Sequence, residues 1–442
     1  MTTQPPVEHA VPRMRPLSNR RATVVSVLDV GSTKVTCLIA KLTPRAVDKT
    51  LPGRTHDMTV LGYGMQRSRG MKSGMVVNLD EAEQSIRLAV DAAERMAGLT
   101  IESLILNITA GRLHSEVYRA HVDVAGETVD EADIQRVLAA GATHSLTDDR
   151  SLIHSLPIGY ALDGTRGIKD PVGMLGEKLA VDMHVVGADC APVRNLELAV
   201  NRCHLEVETI VATPYAAGLA TLVDDEADLG VACVDMGGGT TSMAVFADGS
   251  FCHVDAIAIG GHHVTMDIAQ GLSTRVADAE RIKTLHGSAL ATSSDDHEVI
   301  GVSSVGAERH DVFNVPRGAL TRIIRPRVEE ILELVRDRLA NSGFAGRVGK
   351  RVVLTGGASQ LTGVVEVARR ILGRNVRLGR PLGIAGLPQA AKGAAFAAAV
   401  GLLIYPQVAQ IEQFDLRHQR RPSSASGGHY LARVGQWLKE SW

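Results

Sequence analysis

The chain has few aromatic residues, few cysteines and no excess of charge of either sign. Phe, Tyr and Trp make up 3% of its 442 residues. Lys plus Arg (47) nearly balance Asp plus Glu (49), so no overall field attracts the molecule to nucleic acid. The five cysteines are widely spaced and form no CxxC pair, which predicts buried thiols in a reducing compartment rather than disulfides or a zinc site.

Long hydrophobic runs are also missing, although 45% of the residues are hydrophobic. Residues 1–21 contain four prolines and four arginines without the apolar core of a secretory signal, which predicts a disordered basic tail. The most apolar later stretch, 393–405, is shorter than the roughly 18 to 20 residues that span a bilayer. The sequence therefore predicts a globular protein of two or more domains that does not cross a membrane.

Two hairpins with glycine turns lie 206 residues apart, counted from Asp29 to Asp235 (235 − 29). Each has an apolar strand that ends in the aspartate, a turn of small residues and a return strand. This spacing is too long for a solenoid repeat, so it predicts two similar domains in tandem. Helices are predicted at 79–96, 131–140, 320–339 and 361–372, and strands at 104–109, 299–305 and 351–355.

Both turns are suited to binding phosphate, because they offer backbone N–H groups, hydroxyls and glycines that let the backbone approach an anion. The predicted phosphate-binding residues are Asp29, Gly31, Ser32, Thr33 and Lys34 in the first turn, and Asp235, Gly237, Gly238, Gly239, Thr240 and Thr241 in the second. Asp29 and Asp235 are predicted to hold Mg²⁺ through water, since magnesium takes few protein carboxylates. One such turn is more often an ordinary hairpin, but two in tandem domains favour a nucleotide site.

These turns, with a third glycine turn at 356–357, resemble the phosphate and adenosine loops of the actin, heat-shock chaperone and sugar-kinase superfamily over about 23–405. The resemblance implies an α/β, actin-like (ribonuclease H-like) fold whose two domains close on ATP. It also implies that Gly356, Gly357 and Ala358 approach the adenosine and that Glu280 and Lys283, on a helix following Gly260-Gly261, reach the ribose and base. Taken alone, Glu280 and Lys283 are a surface ion pair of small worth.

Five segments are similar to the FtsA family of bacterial cell-division proteins within that superfamily: 68–71, 167–173, 279–283, 353–358 and 399–403. The resemblance implies an ATP-binding protein that anchors FtsZ polymers to the cytoplasmic side of the cell membrane at the division septum. It implies domain 1A at 22–100 and 187–228, an inserted subdomain 1C at 101–186, domain 2A at 229–270 and 331–412, and domain 2B at 271–330. Subdomain 1C would mediate self-association and contacts with later division proteins, and 2B would bind the FtsZ C-terminal peptide.

Hydrolysis of ATP is expected to be weak or absent. Efficient relatives place a Gln or Glu in the segment that links the domains, where it orients the attacking water. The matching residues here, 212–218, contain neither, which leaves Asp235 as the candidate catalytic residue. His262 and His263 point apart on one element and lack a third ligand nearby, so a structural or solvent-facing role is predicted for them rather than metal binding.

The last segment predicts a membrane-binding helix at 429–442, attached through a flexible Ser/Gly-rich linker at 413–428. Its apolar residues recur at three- and four-residue spacing: Leu431, Val434, Trp437, Leu438 and Trp442. Trp prefers the membrane–water boundary, and the basic residues of the segment favour anionic lipid. The alternative is a helix that docks on the protein itself or on a partner. A single copy should bind weakly, so self-assembly is expected to strengthen attachment.

Two other functions share this fold. A pilus-assembly protein similar to PilM has a comparable inserted subdomain but, as a family, lacks the terminal helix. A small-molecule kinase would need an acceptor pocket with a catalytic Asp between the domains, for which the sequence offers no clear candidate outside the phosphate loops.

Overall fold

A computed structural model describes residues 17–45, 54–109, 112–142, 149–293, 297–305 and 312–412. Its strands are β1 Thr23–Val30, β2 Lys34–Pro44, β3 His56–Arg67, β4 Met71–Lys72, β5 Met75–Val76, β6 Ser103–Ile108, β7 His114–Asp123, β8 Arg150–Leu162, β9 Thr165–Ile168, β10 Lys178–Asp189, β11 Glu206–Ala212, β12 Val231–Met236, β13 Thr241–Ala247, β14 Ser250–Ile257, β15 Val299–Ser303, β16 Val312–Pro316, β17 Arg351–Thr355, β18 Asn375–Leu378 and β19 Ile384–Ala385. Its helices are α1 Leu79–Ala97, α2 Glu131–Gly141, α3 Cys190–Asn201, α4 Thr213–Thr221, α5 Asp224–Leu229, α6 Gly261–Gly271, α7 Val276–His286, α8 Arg317–Asn341, α9 Val364–Leu372 and α10 Ala397–Val408.

Two sheets with the same topology form the two lobes of the molecule. The first lobe has the order β11-β6-β1-β2-β3-β19, and the second has the order β14-β13-β12-β17-β18. In each, a three-stranded antiparallel meander is followed by two strands parallel to its first strand. This repeated order is the ribonuclease H-like arrangement, and it explains why β1 and β12, each with an aspartate as its next-to-last residue, occupy equivalent places.

The inserted domain is a separate four-stranded sheet, β7-β10-β8-β9, with α2 packed on it. It has a small core of its own, which includes Val137, Leu179 and Met183. Asp130 caps α2 by accepting the N–H of Asp133, whose side chain accepts the N–H of Asp130 in return. This reciprocal capping box satisfies backbone groups that the helix leaves unpaired.

Local sequence signals explain several helix ends. Asn78 begins α1 by accepting the N–H of Glu81, and Gly98 ends it in the left-handed conformation with φ 68°. The predicted helix at 361–372 begins later, at Val364. The residue before it, Gly363, has φ +82°, which no α-helix accommodates, so the preceding residues form a turn and a short 3₁₀ segment instead.

Residues 17–21 of the predicted tail lie within the described part of the chain. Leu17 packs against the core of the first lobe, and the Ser18 carbonyl lies 3.2 Å from His56 Nε2. Residues 17–21 therefore belong to the folded lobe. Residues 1–16, like the predicted linker and membrane helix at 413–442, lie outside the described residues.

The described part of the chain contains no helix long and apolar enough to cross a membrane. The Ala-rich α10 is instead buried between the sheet and α4. Four of the five cysteines are buried and Cys203 is partly buried, in keeping with the burial that their apolar surroundings predict. Burial raises the pKa of the Cys233 thiol to about 12.

Candidate functional site

The two predicted phosphate turns have the same construction. In the first, the Gly31 N–H donates to the Lys34 carbonyl at 2.9 Å; in the second, the Gly237 N–H donates to the Thr240 carbonyl, also at 2.9 Å. Each turn thus folds back immediately after its aspartate-ended strand. The structure therefore presents the same short loop from both lobes.

The tips of the two turns touch each other. A Cβ added to Gly238 would lie 2.3 Å from Thr33 Cγ2, and one added to Gly239 would lie 2.3 Å from Ser32 Oγ. The Ser32 hydroxyl also accepts the N–H of Gly74 at 2.8 Å, so it is held in place. A side chain at either position would force Ser32, Thr33 or the turns themselves to shift.

Two acidic side chains and one basic side chain of these turns, Asp29, Asp235 and Lys34, interact electrostatically. Burial raises the pKa of Asp235 to about 7, and the nearby charge of Asp29 adds to the rise while Lys34 opposes it. Burial also raises the pKa of Asp29, opposed by Lys34. Burial lowers the pKa of Lys34, opposed by both aspartates. Asp29 and Asp235 thus lie close enough for their charges to interact in a buried setting, where a carboxylate without a partner is costly.

Asn107, a residue that the sequence analysis missed, holds the first aspartate. Its Nδ2 donates to Asp29 Oδ1 at 2.7 Å and to Thr213 Oγ1 at 3.1 Å, while its Oδ1 accepts the N–H of Val30 at 2.7 Å. Thr109 donates to the same Thr213 hydroxyl at 2.6 Å. Asn107 is 2% exposed. A polar residue in the otherwise apolar strand β6 was the signal, because a buried amide needs partners.

The third glycine turn packs directly on the second aspartate. Gly356 has φ +85°, and a Cβ there would lie 2.2 Å from Asp235 Oδ1. Ala358, two residues further along the chain, packs against Gly261 at the start of α6. A Cβ added to Gly261 would lie 2.8 Å from the Cβ of Ala358. A Cβ added to Gly357 would make only an ordinary van der Waals contact, 3.8 Å from the Cβ of Ala395. The structure thus brings the predicted phosphate and adenosine loops together.

Glycines at the start of α6 close the second phosphate turn, which the sequence analysis did not anticipate. The N–H groups of Gly261 and His262 donate to the carbonyls of Gly237 and Gly238 at 2.9 and 2.7 Å. A Cβ on Gly260 would lie 2.6 Å from the Gly237 carbonyl oxygen. The carbonyls of Gly237 and Gly238 are therefore directed to the start of α6, and the opposite side of the turn is the one that contacts the first lobe.

Glu280 and Lys283 lie on α7, the second helix after Gly260-Gly261, because α6 ends at Gly271. Lys283 Nζ donates to Glu280 Oε2 at 2.7 Å, to Thr265 Oγ1 at 2.8 Å and to the Gly261 carbonyl at 3.1 Å. Thr265 also donates to Glu280. The pair is therefore more than a surface ion pair: it fastens α7 to the first turns of α6, beside the glycine loops.

The Lys34 side chain also contacts the segment that precedes α10. Its Nζ donates to the Ala395 carbonyl and lies 3.4 Å from the centroid of the Phe396 ring. A cation over an aromatic face is stabilised by the ring quadrupole. Lys34 thereby connects the first phosphate turn to the loop that precedes α10.

His263 has a structural role, as predicted, since its Nδ1 accepts the N–H of Gly260 at 3.2 Å and so caps α6. Among the described residues, no group of three or more His, Cys, Asp or Glu is placed to ligate a metal directly. Asp29 and Asp235, whose charges interact, are the kind of ligand that suits a hydrated magnesium ion, which needs few protein ligands.

The Asp235→Asn variant should gain stability relative to the unmodified chain as the pH rises from about 5 to about 7. The folded chain keeps a proton on Asp235 up to about pH 7, whereas the unfolded chain releases it near the ordinary value of 3.8. The folded state then binds more protons, so the free energy of unfolding falls with rising pH. Asn mimics the protonated carboxyl and escapes this loss.

Urea unfolding of both proteins at several pH values, without nucleotide, measures the difference. Comparing variants is necessary because buried histidines such as His184, whose pKa burial lowers to about 3, impose the opposite trend on both. A difference that stays constant with pH would contradict the raised pKa of Asp235.

Comparisons with known proteins agree with this architecture. A family model described as "Cell division protein FtsA" matches residues 232–401, and one described as "SHS2 domain inserted in FTSA" matches residues 110–187. The chain is similar to cell division protein FtsA of Rhizobium meliloti (strain 1021), with 58% identity over 433 residues that cover 98% of each chain.

Two solved structures share the fold. The PilM-PilN type IV pilus biogenesis complex aligns with a TM-score of 0.59 and 16% identity over 87% of this chain and 98% of that chain. MreB5 of Spiroplasma citri bound to ADP aligns with a TM-score of 0.50 and 13% identity over 88% of this chain and 98% of that one. At these identities the likeness concerns the fold alone, and it confirms the predicted actin-like α/β class with an inserted domain.

Proposed function

Because this chain belongs to the FtsA family of cell-division proteins, we propose that it is an actin-like ATP-binding protein of the bacterial division machinery. One observation carries the proposal: two aspartate-led glycine turns, one from each lobe, touch at their tips and enclose Asp29, Lys34 and Asp235. MreB5, which shares the fold, has been solved with ADP. Such an arrangement offers donors for phosphate oxygens and two carboxylates for a hydrated Mg²⁺.

Each predicted site residue receives a role in this proposal. The two turns bind the phosphates, Lys34 balances part of their charge, and Asp29 and Asp235 face the magnesium ion. Gly356, Gly357 and Ala358 approach the adenosine, with Glu280 and Lys283 at the ribose and base. Turnover is weak or absent, because residues 212–218 contain no carboxylate or carboxamide to orient the attacking water, which leaves Asp235 as the candidate base. The nucleotide acts mainly by holding the lobes in one relative position.

The partner surfaces follow from the same premise. We assign FtsZ binding to 271–330, and self-association together with contacts to later division proteins to the inserted domain, 101–186. The segment 429–442 would attach the molecule to anionic lipid on the cytoplasmic face of the cell membrane at the septum. The likeness to PilM extends to the fold, while identity of 58% over nearly the whole chain favours a division role over pilus assembly or a kinase activity.

Co-sedimentation with anionic lipid vesicles tests membrane attachment. The intact chain should pellet with vesicles, whereas a chain ending at Ser426 should stay in the supernatant, because it lacks all five apolar residues of the predicted helix. Because assembly joins many weak anchors, adding ATP should raise the affinity of the intact chain for vesicles by up to about 10²-fold.

A Leu285→Gln variant is the matched control, since it removes a side chain that is 66% exposed on α7 and should leave vesicle binding unchanged. Equal pelleting of the intact and shortened chains would contradict the assignment and would favour a function similar to that of PilM.

A further inference from the structure

A buried histidine joins the inserted domain to the last described residues of the chain. His154, in β8, is 1% exposed. Its Nδ1 lies 2.8 Å from Glu412 Oε2, and its Nε2 accepts the N–H of Ala212 at 2.9 Å. A backbone N–H can only donate, so Nε2 is the unprotonated nitrogen and Nδ1 carries the proton that is donated to Glu412.

The same histidine is enclosed by aromatic rings from both lobes. Tyr215 of α4, Tyr405 of α10 and Phe251 of β14 lie with their ring centroids 5.2, 5.8 and 6.3 Å from that of His154. Tyr405 also donates to Glu412 Oε2 at 3.1 Å. The Glu412 side chain is 9% exposed. Oε2 of this carboxylate thus has two partners, which offset part of the cost of burying its charge, while Oε1 has none among the described residues.

A continuous path of contacts leads from Glu412 to the nucleotide cleft. Ala212, whose N–H binds His154, is followed by Thr213, the first residue of α4. Thr213 accepts from Asn107, and Asn107 donates to Asp29. At the other end of the path, Glu412 stands 30 residues before the C-terminal residue, Trp442 (442 − 412).

We propose that His154 and Glu412 are positioning residues. They couple occupancy of the nucleotide cleft to docking of residues 405–412, which precede the C-terminal segment. This inference rests on the proposed nucleotide binding. When the cleft closes on nucleotide, the junction of β11 and α4 is fixed, and His154 is then held in position to receive Glu412. Coupling of this kind is reciprocal, so undocking Glu412 must weaken nucleotide binding by the same factor by which nucleotide strengthens docking.

Titration calorimetry with ATP and Mg²⁺ measures one direction of the coupling. Glu412→Ala should bind ATP at least about fivefold more weakly than the unmodified chain. Glu412→Gln should recover most of the affinity, because its amide oxygen still accepts the His154 Nδ1 proton. Glu366→Ala, which removes an exposed carboxylate from α9, is the matched control and should bind normally.

Hydrogen exchange on the unmodified chain measures the other direction and needs no substitution. Backbone amides of 405–412 should exchange more slowly with ATP and Mg²⁺ present than without. A role confined to stability would lower the melting temperature of Glu412→Ala but leave its ATP affinity unchanged. That result, together with exchange at 405–412 that ATP does not alter, would overturn the coupling alone; failure of the unmodified chain to bind ATP would overturn both it and the proposed function.

Discussion

Replacing Gly401 with Ala should destabilise the protein by about 2 kcal/mol or more, although helix propensity alone predicts a gain of about 1 kcal/mol. Gly401 lies in α10, where a Cβ would lie 1.7 Å from the carbonyl oxygen of Ala216 in α4. The contact is with backbone, so no side-chain rotation relieves it. The two helices must separate, and buried packing between them is lost.

Urea or thermal unfolding measures the change. Gly126→Ala is the matched control, because no atom lies within 4 Å of the added Cβ and the substitution should be neutral or slightly stabilising. Since α4 begins with Thr213, which contacts Asn107, the Gly401→Ala variant should also bind ATP less tightly. A Gly401→Ala protein as stable as the unmodified chain would contradict the close packing of α4 and α10.

Replacing Asp235 with Asn should weaken binding of ATP with Mg²⁺ by about 10- to 100-fold at pH 8. Asn keeps the size of the side chain but removes a charge that faces the cation in the proposed site, and charged hydrogen bonds contribute about 1.5–3 kcal/mol each. The effect should shrink at pH 6. There the Asp235 carboxyl, whose pKa is raised to about 7, is mostly protonated in the free protein and must lose its proton before it can bind the ion.

Asp337→Asn is the matched control for this substitution. Asp337 is an exposed carboxylate on α8, paired at the surface with Arg336, and such pairs are worth little. Its ATP affinity should equal that of the unmodified chain at both pH values. The same Asp235→Asn protein should be more stable than the unmodified chain at neutral pH, so weaker binding would not reflect unfolding. Identical ATP affinities of Asp235→Asn and the unmodified chain at pH 8 would contradict a magnesium role.

The parts of the site that could be predicted from the sequence are those encoded by adjacent residues. An apolar strand, a glycine turn and a return strand within about 20 residues indicate each hairpin, at Asp29 and at Asp235. The capping residue Asn78 and the terminating glycine Gly98 indicate the two ends of α1. Such signals depend on backbone preferences of neighbouring residues, so no tertiary information is required.

The parts that could not be predicted depend on contacts between distant residues. Asn107 reaches Asp29 from 78 positions away, and His154 reaches Glu412 from 258 positions away. Neither residue belongs to a motif, because its role comes from where the sheets place it. The sequence placed Glu280 on a helix after Gly260-Gly261 without specifying which one. In the structure α6 ends at Gly271, and Glu280 lies on the next helix, α7.

If the two turns led by Asp29 and Asp235 bind one magnesium-bound triphosphate between the lobes, ATP binding must depend on magnesium. Calorimetric titration of the intact chain with ATP, at pH 8 with Mg²⁺ and again with EDTA, measures this dependence. We expect one ATP per chain, with affinity that falls at least tenfold when Mg²⁺ is withheld. No heat of ATP binding in the presence of Mg²⁺, or affinity that is the same without it, would rule out such a site.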